Sequence, residues 1–484
     1  MPISISREEI RAVYRQGEDA VISLVESLVE KFNALEQRVQ LLEAKISKDS
    51  HNSSKPPSSD WQRKPKSLRE KTDRLPGAQP GHKGISLKQV EHPDHIQLCK
   101  LKGLCGCGRN KADAKILGIK KCQVIDMPVP TVKVTEFQGE IGECACGAVH
   151  IADFPAGVDA PVQYGPMIRA IVLYFSVYQL LPQKRTAQAM QDLFRVPISE
   201  GAINCVIERA YERLEATEHA IRAILMAAWV LHGDETGIYI GGKRLWLHTL
   251  GSKLFTYYFV HAKRGKVAFR EDGTLENFIG RLVHDGWVSY FDLDCLHALC
   301  NAHHLRELIF ISEQGKQRWA ATMVKLLCHM KRTVDRAKAA GRQQLADQTL
   351  RKFRRRYESL IASGYKANPL ITTRTASRQR GRIKQSPARN LLDRLSKYDD
   401  ETLAFLYDFN VPFDNNTSER DLRMSKVKQK VSGCFRSMFG AQAFCRIRGF
   451  VSTVRKHGAN VFDNLAKCFD PSVTQVILLP EGRE

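Results

Sequence analysis

Residues 229–236 read WVLHGDET and residues 282–290 read LVHDGWVSY. In each, a short apolar run rich in β-formers meets an acid, Asp234 in the first and Asp285 in the second. A strand of this composition can carry a carboxylate to the edge of a sheet, where it faces solvent. Between the two acids lie GIYIGGKRLWLHTL and KLFTYYFVHAKRG, which alternate apolar and polar residues and predict further strands. The segment TLENFIGRL predicts a short helix, and VHDGWVSYF a fourth strand lying beside the first. The interval of 51 positions accommodates that circuit. Two carboxylates on neighbouring strands can share hard, oxygen-seeking cations such as Mg²⁺.

A third acid would complete a two-ion site of the kind that moves phosphodiesters. Glu419, in FDNNTSERDLRMSKVKQK, is the candidate. A capping box formed by Asn416 and Glu419 accounts for it equally well. Asp414 and Asp421 compete with Glu419, and Glu235, Asp292 and Asp294 compete with the other two. Arg420, Arg423, Lys426 and Lys428 around Glu419 read as phosphate contacts or as a solvated helix face. Arg306, in CNAHHLREL, is a further cation of this type, while His303 and His304 read as structural.

The whole chain agrees with a polyanionic partner. Its 484 residues imply several domains, and 74 Lys and Arg against 52 Asp and Glu leave a net charge of +22. With 43% hydrophobic residues it can bury real cores, which excludes wholesale disorder. No apolar run approaches the roughly 18 residues that span a bilayer. The opening MPISISREEI lacks the layout of a signal peptide, and thirteen scattered cysteines fit a reducing cytoplasm.

The amino-terminal fifty residues predict one helix. Val21, Leu28, Leu35 and Leu42 repeat every seven, and Val25, Phe32, Val39 and Ile46 form a second series. This is the seam of a parallel two-stranded coiled coil, which implies self-association. A basic linker rich in Pro, Ser and Gly follows, to about His92. Residues 93–155 carry β-like runs between two knuckles, Cys105-Gly-Cys107-Gly and Cys144-Ala-Cys146-Gly. Four thiolates on one ion suit a closed, structural zinc site, in which Cys99 or Cys122 could replace a ligand. Residues 186–210 predict helix, turn, helix with Ser199 as N-cap, a DNA-reading form or a mere packing unit. Residues 303–401 read as helical and strongly basic, and apolar helices recur near 404–407 and 445–465.

The motifs NSSKPPSSD (residues 52–60) and PGAQPGHKG (76–84) resemble the amino-terminal signature of transposases of the insertion sequence 66 family. The resemblance continues through the cysteine knuckles, YGPMIRAIVLYFSVYQLLPQKRTAQAM, HGDET, HDGWVSY, CNAHHLREL, DNNTSERDLR and GANVFDNL. It implies an RNase H-like core whose DDE triad falls on Asp234, Asp285 and Glu419, with a helical insertion before the last acid. One departure is the first knuckle, C-x-C where many members have C-x-x-C.

The expected architecture is therefore multidomain α+β. It comprises a coiled coil (1–49), a linker (50–92), a zinc-binding module (93–155) and a helix-turn-helix-like segment (156–224). The RNase H-like core (225–302 and 402–466) is interrupted by the helical insertion (303–401), and a tail (467–484) follows. The expected activity is cleavage of transposon ends and joining of the 3′ hydroxyl to target DNA with two Mg²⁺ or Mn²⁺ ions. The expected partners are DNA, a second subunit and accessory proteins of the same element. A nuclease without strand transfer and a non-catalytic zinc-containing DNA-binding regulator are the alternatives.

Overall fold

The computed structural model describes residues 6–46, 48, 52–53, 87–371, 383 and 385–473. Most of the basic linker lies outside these residues, with PGAQPGHKG and most of NSSKPPSSD. The same holds for most of the basic stretch 372–384 and for residues 474–484 of the tail.

The amino-terminal region is two helices rather than the single one expected. Ser6 and Glu9 form a reciprocal capping box at the start of Arg7–Arg15, which stops before Gly17. Gly17 takes φ +104°, a conformation that costs other residues a clash of Cβ with the backbone. The longer helix Glu18–Ile46 carries both heptad series intact, and Val25, Leu28, Phe32, Leu35, Val39, Leu42 and Ile46 are all exposed along it.

The cysteine region holds less strand than its composition suggested. Strands β1 (Ile141–Glu143) and β2 (Val149–Ile151) form one hairpin whose turn is the second knuckle, and a single 3₁₀ turn, Lys111–Asp113, follows the first. Next come helices Gln183–Phe194 and Glu200–Arg213. The turn between them places Arg195 in the left-handed region, and the Ser199 hydroxyl accepts from the Ala202 amide.

A five-stranded mixed sheet forms the centre. It contains β3 (Val230–Ile240), β4 (Lys243–Gly251), β5 (Thr256–His261), β6 (Arg281–His284) and β7 (Leu296–Leu299), in the order β5-β4-β3-β6-β7. Strands β3, β4 and β5 form an antiparallel meander, while β6 and β7 run parallel to β3. WVLHGDET and GIYI are thus one continuous strand, not two. The hairpin turns at Gly241-Gly242, both at positive φ, the backbone a tight two-residue turn demands. TLENFIGRL is not helical. The helix in this crossover is Lys266–Asp272, ended by Gly273, and Leu275 and Phe278 cap the sheet from a turn. The predicted fourth strand stops at His284, and residues 288–292 wind into a 3₁₀ turn.

The pleat sends alternate side chains to opposite cores. Leu231, Leu250, Phe269, Leu282 and Tyr290 pack on one face. Ile238, Ile240, Leu247 and Tyr258 face the other, against the helix Met438–Lys456. That helix is buried almost all round, as a helix at the centre of a domain must be. The described residues of 301–407 form five helices with their own core around Met323, Leu327, Tyr357, Leu392 and Leu403. Within Arg318–Ala339 the buried residues Met323, Leu327, Met330, Val334 and Ala337 make one stripe at helical spacing. Among the described residues no helix is long and apolar enough to cross a membrane, and all thirteen cysteines are free.

Candidate active site

Parallel pairing between β3 and β6 runs from Val230–Arg281 to His232–Val283 and then ends. Continuing that register by two residues sets Asp234 level with Asp285, just past the end of β6. On the β6 side no strand covers either acid, but Asp234 stays paired with Thr249 of β4 in mid-strand and is partly buried, not the solvent-facing residue at a sheet edge that its sequence suggested. Asp285 accepts the Trp287 amide at 2.9 Å, and Gly286 at φ +89° turns the chain away. Asp234 accepts the amide of Glu235 at 2.9 Å.

Glu419 lies in the first turn of the helix Asn416–Ser432. The capping box does not form: the N-cap is Asn415, and its side chain makes no cap hydrogen bond. Its amide is spent across the fold instead. Asn415 Oδ1 lies 2.8 Å from His232 Nδ1, and Nδ2 donates to the Gly233 carbonyl at 2.9 Å. The Asn415 backbone N–H donates to Cys300 Sγ at 3.1 Å, at the end of β7. One buried asparagine thereby ties the helix of Glu419 to the strand of Asp234.

The electrostatics are those of crowded acids. Burial first, and then the charges of Glu235, Asp285 and Glu419, raise the Asp234 carboxyl well above the ordinary range. Glu419 Oε1 is buried with no hydrogen-bond partner; the Arg306 guanidinium stands off at 3.6 Å, and His303 Nε2, whose charged form is disfavoured by burial and by Arg306, at 3.8 Å. An unsatisfied carboxylate oxygen beside mutually repelling carboxylates is costly unless a cation joins them. The oxygens of Asp234, Asp285 and Glu419 do not gather within 4.8 Å of one another, so it is the all-oxygen chemistry of this donor set, and not its spacing, that suits divalent ions such as Mg²⁺.

A second grouping shares Glu419. Cys300, His303 and Glu419 offer ligand atoms within 4.8 Å of one another. The Cys300 thiol, however, is buried and pushed up to about 12 by that burial, so it stays protonated and suits a metal poorly. His303 faces the acid and is more than a packing residue. His304 is buried against Asn301 at 3.3 Å, as expected.

Three of the competing acids have other partners. Glu235 is buried on the opposite face, paired with Arg264 at 2.5 Å and accepting from the Tyr290 hydroxyl. Asp421 binds Lys456 at 2.9 Å and Thr256 at 3.2 Å, and Asp414 accepts the Asn416 amide. Of the expected phosphate contacts, Arg420, Arg423 and Lys426 are exposed. Arg306 is turned inward on Glu419, and Lys428 lies 4.0 Å from the Phe435 ring centre.

The two cysteine knuckles fold alike: the first Cys amide bonds the carbonyl four residues on, and its own carbonyl accepts the Gly N–H. In each, hydrogen bonds from the second cysteine lower the pKa of the first thiol, Cys105 or Cys144. The knuckles do not converge, however. Among the described residues the grouping at Cys300 is the one that gathers three metal-binding side chains. A cavity of about 300 Å³ lined by Tyr211, Glu218, Phe259, His261 and Glu271 lies along β5, away from the acids.

Two family models match the chain. One, described as the transposase IS66 family, covers residues 161–443, a span that includes Asp234, Asp285 and Glu419. The other, a family of unknown function (DUF6444), covers residues 5–88. A search among curated proteins found no match.

Proposed function

This chain belongs to the IS66 family of transposases, and from that premise we propose that Asp234, Asp285 and Glu419 form the catalytic triad of a DNA strand-transfer enzyme. The level standing of Asp234 within β3 and Asp285 just past the end of the parallel β6 carries the reading. The strand order β5-β4-β3-β6-β7, antiparallel on one side of β3 and parallel on the other, supports an RNase H-like core. The five helices between Asp285 and Glu419, with their own apolar centre, support its interruption by a helical insertion.

Two divalent ions, Mg²⁺ or Mn²⁺, would be held by the three carboxylates, and when bound they supply Lewis acidity to the attacking and leaving oxygens. The residues do the rest. Asn415 and Cys300 fix the start of the Glu419 helix, and His303 and Arg306 hold the carboxylate without capping Oε1. In the first step the oxygen of water bonds to phosphorus and the 3′ oxygen of the transposon end leaves with a proton. In the second, that 3′ hydroxyl attacks a target phosphodiester, and the displaced target 3′ oxygen takes the proton it gives up. Arg420, Arg423 and Lys426 neutralise phosphate charge along the incoming strand.

The exposed heptad seam of Glu18–Ile46 fits a second copy of the same helix, which would pair two transposon ends. The knuckles supply Cys105, Cys107, Cys144 and Cys146 for a structural zinc, and joining all four on one ion would draw the two knuckles together. Helices Gln183–Phe194 and Glu200–Arg213 are the candidate DNA-reading pair.

The test is incubation with Mg²⁺, a labelled duplex carrying the element's end, and a target plasmid. Nicked and joined products are expected. Nicking without joining would favour a nuclease, and neither product, with correct ends and accessory proteins supplied, would overturn the enzyme reading.

A further inference from the structure

We propose that a row of alternating indole and guanidinium groups, on the face of the sheet that carries Glu235 and opposite the face of Asp234, holds an unpaired nucleotide of the DNA strand being processed, a role that rests on the strand-transfer reading. The row is Trp287, Arg264, Trp246 and Arg244. The Arg264 guanidinium lies 4.0 Å from the Trp287 ring centre and 4.9 Å from that of Trp246, and Arg244 lies 4.9 Å from Trp246. Its inner end is fixed by the site itself, because the Trp287 amide bonds Asp285 and Arg264 is paired with buried Glu235.

The outer end is different in kind. Arg244 is exposed and has no carboxylate partner among the described residues. It lies flat on Gly237, where an added Cβ would sit 2.8 Å from Arg244 Nε. Lys426 reaches the same spot from the helix of Glu419, donating to the Gly237 carbonyl at 2.6 Å. Burial, then the charge of Arg244, disfavours its ammonium. Two cations crowd one glycine with no acid between them, three residues along β3 from Asp234. An anion there relieves the repulsion, and a phosphate is the anion the neighbouring site handles.

A phosphate alone would not call for the indoles. Trp246 and Trp287 are only half-buried, and a base stacks on an indole or guanidinium face whatever its identity. A paired base has both faces covered by its neighbours in the duplex. The nucleotide that fits is therefore one freed from pairing, with its phosphate between Arg244 and Lys426 and its base extending the stack.

Binding of a labelled oligo(dT) of about 12 nucleotides and of a blunt duplex of the same length, measured by anisotropy in EDTA with the full chain, tests this. Arg244→Ala and Trp246→Leu should each weaken the single strand about tenfold and leave the duplex nearly unchanged. Arg244 is a surface residue, so its variant keeps the test open should Trp246→Leu fail to fold. Single-strand affinity unchanged in Arg244→Ala, or an equal loss on both probes, overturns the proposal. Asp234→Asn should bind oligo(dT) like the parent and cut nothing. If it cuts, the triad reading fails while the nucleotide site stands.

Discussion

The side-chain amide of Asn415 donates to the carbonyl of Gly233, the residue immediately before Asp234, at 2.9 Å. The two residues are 182 positions apart in the chain, and the bond closes the distance between the first and third acids. Asn415→Ala would leave His232 and the Gly233 carbonyl without this partner and would free the start of the Glu419 helix. We expect a loss of about 1–3 kcal/mol of stability from the buried unpaired groups. The loss of strand cleavage should be larger than that of DNA binding. Urea unfolding, set beside single-turnover cleavage and anisotropy, checks both. Cleavage equal to the parent's would show that the bracket does not position Glu419.

Removing a crowded charge should separate stability from activity. Asp234→Asn is expected to lower cleavage by about a thousandfold or more. In metal-free buffer at neutral pH the same change should raise Tm, because it deletes a buried carboxylate repelled by three others. The parent should gain Tm on adding Mg²⁺ and the variant should gain less. A variant with lower Tm in EDTA would contradict the crowding.

His248 is a buried histidine on β4, across from Glu235, stacked on Phe259 with ring centres 4.6 Å apart. Burial lowers its pKa to about 4, so the folded state holds the ring neutral. A depressed histidine stabilises the fold above its unfolded pKa, near 6.5, and that contribution is lost as pH falls toward 4. The loss is on the order of 3 kcal/mol across that window. His284, lowered to about 3 by burial and by His297, adds to it in the same direction. Chemical denaturation between pH 7 and pH 4 should show this loss, and His248→Phe should reduce it.

The exposed seam of Glu18–Ile46 predicts a change of assembly without a change of core. Replacing Leu28 and Leu35 together with Glu puts charge into successive layers of the seam. Light scattering should report a dimer for the parent and a monomer for the double variant, with the main thermal transition unmoved. A parent that is already monomeric at working concentration would remove the coiled-coil reading.

The central strands were legible because their chemistry is local. Val230–Leu231 is apolar and β-forming and Lys243–Leu250 alternates, although GIYIGGKRLWLHTL read as one strand where Gly241-Gly242 in fact turns the chain. Asp234 and Asp285 stood out because a carboxylate after an apolar run has few structural uses. What escaped was decided at a distance. β7, LHAL, is four residues at a sheet edge and shows no period of its own. TLENFIGRL has helical spacing, yet its Leu275 and Phe278 serve the sheet's core from a turn. The two asparagines before Glu419 look alike locally, and only contacts to β3 and β7 reveal that Asn415 is the bracket and Asn416 merely helical. His303 read as structural because its partner lies more than a hundred residues downstream.

The buried helix Met438–Lys456 backs the very strands that carry Asp234, and it is made long after them. A ribosome that has delivered residues 1–415 has released the basic helices and two of the three acids, but neither Glu419 nor the wall behind β3–β5. Under the proposed triad, such a nascent or prematurely stopped polypeptide is expected to hold DNA through its basic surface without cutting it. Competence to break DNA would then arrive only once residues 416–456 are made, and shortened products of the same reading frame are expected to compete with the intact protein.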